Sequence, residues 1–126
     1  MNESDLRHAS GSIQDDVLVI TILAKQIRDP KTSCALRDEI LALVGSAEMS
    51  GLVIDLQRVT FIGSIGLLAF LGVRRHLEAG RIVLCNLADP IRRMFEVCRL
   101  VAVDSSMTAP FEVADSLKAA LAGLSE

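Results

Sequence analysis

Apolar positions along the chain fall into two patterns: short solid runs, and longer stretches with a one-sided stripe. The segments 17–23, 52–56 and 81–87 are rich in Val, Ile and Leu and have the length of buried strands. Val59 and Phe61 continue the alternation of the middle run after a polar break at Gln57 and Arg58. A weaker edge strand at 10–13 precedes the first run, and Asp15 and Asp16 between them suit a hairpin turn. Three stripes have helical spacing: Leu36, Ile40, Leu43, Val44 and Ala47; Ile91, Met94, Phe95 and Cys98; Leu117, Ala120, Leu121 and Leu124. The first two begin after Asp29-Pro30 and Asp89-Pro90, where an Asp cap and a proline at the first helical position agree with a helix start. Gly45 or Gly51 closes the first helical region, and the last strand is either 101–103 or 111–113.

The stretch 52–80 departs from this simple alternation, and the chain is organised around it. After the middle strand, Gly63 and Gly66 bracket Ser64, from which a helix runs to a stop at Gly80. Ser64 stands where a helix N-cap is wanted, since its oxygen can accept an N–H that the first turn leaves unpaired. The helix that follows is apolar on nearly every side at Ile65, Leu67, Leu68, Ala69, Phe70 and Leu71. Burying one face against a sheet therefore leaves a second apolar face beside a hydroxyl. Two readings of Ser64 stand: a structural cap, or the exposed centre of a docking surface.

Strands alternating with helices require crossover connections and a largely parallel sheet, with one antiparallel hairpin at the start. The 126 residues suffice for one two-layer domain of four to five strands and about four helices. Residues 1–7 are expected to be a loose end and 8–124 the domain.

Composition narrows the function. Apolar residues make up 51% of the chain but aromatics only 3%, with no Trp or Tyr, so the core is aliphatic and platforms for stacking on single-stranded nucleic acid are lacking. Thirteen basic against sixteen acidic residues leave a net charge of −3, which argues against a phosphate-backbone binder. Cys34, Cys85 and Cys98 have neither metal-site spacing nor scaffold density and read as free thiols, Cys85 and Cys98 as buried small hydrophobes. The polar start MNESDLRHAS has no signal-peptide core, and the longest uncharged apolar run, 65–73, falls short of the roughly 20 residues that span a bilayer. A cytoplasmic location without membrane insertion is expected.

Enzyme motifs fail. Ser64 lacks the G-x-S-x-G frame, His8 and His76 sit in a presumed tail and on a polar helix face, and no phosphate-cradling glycine loop or metal-ligand cluster is present. No cofactor is implied. A phosphoacceptor receiver built on Asp55 is disfavoured, because Asp15 and Asp16 precede their strand and none of the lysines Lys25, Lys31 and Lys118 ends a later one.

The segment DLQRVTFIGSIGLLAFL resembles the signature of STAS domains, above all the bacterial anti-sigma factor antagonists, at Asp55, Leu56, Val59, Phe61, Ser64, Gly66 and Leu67. The likeness extends over roughly residues 8–124 through LRDEILAL, EAGRIVLCNL, DPIRRMFEVCRL and FEVADSLKAAL. The resemblance implies a STAS-like α/β fold and a non-enzymatic switch. In it, an anti-sigma factor that is also a serine kinase binds the unmodified protein and releases it on phosphorylation of Ser64; a phosphatase would reset it. It places partner contacts at Asp29, Gly63, Ser64, Ile65, Gly66, Leu67 and Leu68, with helix capping as the alternative role of Asp29. Two departures stand out: Gly63 replaces the family's usual acidic residue, and Ile65 its second hydroxyl residue. They favour, as the alternative, a scaffold, a transporter-associated module or a nucleotide- or lipid-sensing module without phosphorylation.

Overall fold

In the computed structural model, residues 8–45, 51–77, 80–102 and 109–124 are described. The expected loose end at 1–7 lies outside them, as do Ala47 and Val103. Strand β1 (Ala9–Gln14) runs antiparallel to β2 (Val17–Ile22), with Gln14 facing Val17 across the tight turn. Both turn residues, Asp15 and Asp16, have positive φ (52° and 65°), as a type I′ hairpin requires. Strands β4 (Gly51–Asp55), β6 (Ile82–Cys85) and β7 (Glu112–Ala114) then add in parallel, giving the order β1-β2-β4-β6-β7. The chain thus has the mixed, mostly parallel α/β sheet that alternation of strands and helices predicts.

The solid apolar runs are explained by two covered faces. Leu18, Ile20, Ile22, Leu52, Ile54, Ile82 and Leu84 point to one side, where α1 (Pro30–Gly45), α2 (Ser64–His76) and α3 (Asp89–Val97) pack with Leu36, Ile40, Phe70 and Phe95. Val17, Val19, Val53, Val83 and Cys85 point to the other, under α4 (Leu117–Leu124). Three of the four phenylalanines stack edge-to-face in the larger layer, Phe70 on Phe95 at 5.5 Å and Phe95 on Phe111 at 6.3 Å.

Several details differ from expectation. Val59 and Phe61 do not prolong the middle strand. Residues Phe61–Ile62 form a short strand β5 that pairs in parallel with β3 (Gln26–Ile27), a second sheet that launches α2. Both alternatives for the last strand contribute, since Val101 bridges Phe111 immediately before β7. Asp89 is the first residue of α3, and Ala88 holds the cap position without a side-chain bond. Helix α2 ends at His76 with Leu77 as its cap, and Gly80, at φ 101°, turns the chain toward β6. His8 is no tail residue: its backbone N–H donates to Glu39 Oε1 at 2.7 Å and its ring meets Glu39 Oε2 at 2.7 Å.

Cys85 is buried as expected, and burial first, then the Asp55 charge, pushes its thiol up to about 12. Cys98 is exposed, because α3 ends at Val97 and leaves it as the cap; Cys34 is exposed too. A thiolate reagent at pH 8 should therefore modify Cys34 and Cys98 rapidly and Cys85 only after unfolding. Fast loss of the third thiol in the folded protein would contradict this burial.

Candidate functional site

The strands β2, β4 and β6 all run in one direction, so β3, β5, α2 and α3 leave from the same, carboxyl, end of the sheet. That end is where parallel α/β sheets collect their sites. The crossing from β4 to α2 is held there by buried Asp55, whose Oδ1 accepts from the Gln57 N–H at 2.9 Å and from Asn86 Nδ2 at 3.1 Å. The Asp55 of the receiver alternative is thus a brace between strand ends. Further on, Thr60 N–H donates to Lys25 O at 2.8 Å and Gly63 N–H to Ile27 O at 2.9 Å.

These bonds fix where the helix begins. Gly63, in extended backbone at φ −81° and ψ 170°, takes the cap position with no side-chain bond, so Ser64 becomes the first helical residue. The expectation that Ser64 caps its own helix is therefore corrected. Its side chain is exposed and, among the described residues, makes no hydrogen bond. Ser64→Ala should accordingly change stability by less than about 0.5 kcal/mol, where a working cap would cost about 1 kcal/mol. Urea denaturation decides between the two.

The remaining expected contact residues divide. Gly66 and Leu67 are buried and support the surface from beneath, while Leu68 is 57% exposed and Ile65 and Gly63 are half-buried. Gly66 lies so close to β3 and β5 that a Cβ would stand 2.7 Å from Ile27 O and 2.8 Å from an Ile62 methyl. Buried Ser33 of α1 donates its hydroxyl to Ile65 O at 2.9 Å, which ties α1 to the first turn of α2. Asp29 accepts the Thr32 N–H at 2.7 Å and the Thr32 hydroxyl at 3.1 Å, so its capping role is realised. Those bonds, backbone first, hold its carboxyl below the ordinary carboxylate range.

Two apolar grooves flank the turn. One, of about 160 Å³, lies between α1 and α2 and is lined by Pro30, Cys34, Ile65 and Leu68 among others. It exists because α1 covers part of the second apolar face of α2. The other, of about 430 Å³, has Ser64 and Leu67 on one wall and Pro90, Arg93, Met94, Val97 and Cys98 on the other. Val97 is 76% exposed there. The wall from α3 was missed in the sequence, although Val97 stands apart from the inward stripe of Ile91 and Phe95 and shares a face with Pro90, Arg93 and Met94 at helical spacing. Phe61, 43% exposed, carries the Arg28 guanidinium 5.3 Å above its ring.

A family model, the STAS domain, matches residues 13–120. This chain belongs to the STAS domain family. Similar solved structures include an anti-sigma factor antagonist from Mycobacterium paratuberculosis, 28% identical over 94% of this chain and 93% of that one, with a TM-score of 0.74. The anti-sigma factor antagonist SpoIIAA in its unphosphorylated form is 19% identical, with a TM-score of 0.64 and coverage of 93% and 97%. The murine anion transporter Slc26a9 contains a similar fold: 16% identity, a TM-score of 0.70, 87% of this chain but 18% of that one. Among the described residues of this STAS domain no helix is long and apolar enough to cross a membrane, and no three His, Cys, Asp or Glu side chains could hold a metal ion.

Proposed function

We propose that this STAS domain is a non-enzymatic partner switch, an antagonist of an anti-sigma factor that is also a serine kinase. The observation that carries the reading is the exposed, unbonded Ser64 hydroxyl at the start of α2, set between two apolar grooves. While Ser64 is unmodified, the partner rests on Leu68, Ile65 and the α3 wall around Val97. The kinase then moves the γ-phosphoryl group of ATP to Ser64 Oγ: the bond from phosphorus to the ADP oxygen breaks, a bond to Oγ forms, and the hydroxyl proton is released. About −1.5 to −2 charges then stand on an apolar contact, and repulsion and desolvation release the partner. A phosphatase resets the hydroxyl. The fold survives, because the modified residue is outside the core at a helix start, where negative charge is favoured. The similar anti-sigma factor antagonists support this reading.

The other hydroxyls nearby are poorer acceptors. Ser33 is buried and Thr60 Oγ1 is engaged with Lys25 O at 3.1 Å. Incubation with the kinase and ATP should place phosphate on Ser64, as read by mass spectrometry of peptides. Phosphate on Thr60 would count against Ser64 as the acceptor, and none would favour the alternative of a scaffold or ligand-sensing STAS module, to which the missing carboxylate at Gly63 already lends weight.

A further inference from the structure

The groove between α2 and α3 carries one charged side chain among its lining residues, Arg93. Its neighbours are otherwise apolar, apart from the Ser64 hydroxyl and the Cys98 thiol. Five other arginines among the described residues are engaged, Arg28 with Gln26, Arg37 with Asp38, Arg81 with Glu112, Arg92 with Glu96 and Asp115, and Arg74 with the carbonyls of Leu77 and Gly80, while Arg58, Arg75 and Arg99 do not line this groove. Arg93, one residue from Arg92, makes no ion pair or hydrogen bond among the described residues, and the nearby Glu96 is engaged by Arg92. A free guanidinium thus shares a cavity with a free hydroxyl, one on each wall. At the position before Ser64, Gly63 supplies no carboxylate that would compete for the cation or repel an added anion.

We infer that Arg93 is the intramolecular counter-ion of a phosphate on Ser64, and that their pairing closes the α2–α3 groove to a partner. A guanidinium matches phosphate oxygens through paired N–H donors, which makes Arg the appropriate residue for this capture. Phosphorylation then acts twice on the partner: it adds charge to the contact and bridges the groove that an apolar side chain of the partner would enter. The inference rests on Ser64 as the modified residue, but its test does not require the kinase.

Phosphoserine can be placed at position 64 during translation and its second ionisation followed by phosphorus NMR. An ordinary phosphoserine has this pKa near 6, and a nearby cation favours the dianion and lowers it. The α2 terminus lowers it equally in every variant, so the difference between variants reports Arg93. Arg93→Gln should raise the value by about half a pH unit, roughly threefold in proton affinity, at low salt, and the gap should shrink at about 1 M salt. Arg93→Lys should retain most of the wild-type shift, and Arg75→Gln, which removes an exposed cation outside the groove, should leave the curve unchanged. Superimposed wild-type and Arg93→Gln curves would overturn the inference. A kinase that ignores Ser64 would instead defeat the proposed function and leave these curves as they are.

Discussion

Ser64→Asp is expected to weaken binding of the proposed anti-sigma kinase partner by about 100-fold or more, about 3 kcal/mol, while the circular dichroism spectrum stays that of the wild type. The size follows from where the carboxylate would lie. Leu68, Ile65, Met94 and Val97 line the grooves on either side of the position, so a partner seated on them would have to cover a charge, and pairing of that charge with Arg93 would itself obstruct the α2–α3 groove. The fold is untouched because Ser64 is exposed and unbonded, and a negative side chain in the first turn is mildly favourable, by about 0.3–1 kcal/mol. Ser64→Asn separates charge from size. It should bind within about tenfold of wild type, so equal losses with Asn and Asp, measured by calorimetry, would point to steric fit and away from an electrostatic switch.

Gly66→Ala is expected to destabilise the protein by about 3 kcal/mol and lower Tm by about 10 °C. The added methyl would meet Ile27 O at 2.7 Å, Ile62 Cγ2 at 2.8 Å and Ile27 Cγ2 at 2.9 Å, which are parts of the two-stranded sheet with little room to yield. Moving α2 away would also strain the bond from Ser33 Oγ to Ile65 O. Gly72→Ala in the same helix is the control. Its Cβ also meets an atom at 2.7 Å, but that atom is Arg37 Cδ, part of a flexible, partly exposed side chain that can swing away. The gain in helix propensity, about 1 kcal/mol, then leaves the change neutral or stabilising. Thermal melts giving both variants the same sign of effect would refute this account of the α2 seat.

Much of the fold was legible because local signals and burial agreed. The runs at 17–23 and 81–87 could bury both faces only as strands inside a covered sheet, and Asp29-Pro30 marks a helix start wherever the chain goes next. What failed was position-specific. The Asp89 cap fell short because a helix can begin one residue earlier on a backbone that already has suitable geometry, as Ala88 does. The sequence alternation through Val59 and Phe61 could not reveal that Phe61–Ile62 would find Gln26–Ile27, a pairing between segments more than thirty residues apart.

Sequence alone determined the fold class, the place of the Ser64 turn between a strand and an apolar helix, and the likeness to the STAS family, since these rest on periodicity and residue identity along a continuous stretch. Tertiary structure decided the rest. The pairing of β5 with β3 moved the cap onto Gly63 and freed the Ser64 hydroxyl, α1 covered part of the apolar helix, and α3 brought Arg93 and Val97 across from it. Each of these depends on which distant segments come into contact, and one-dimensional patterns carry spacing within a segment, not the identity of its neighbours.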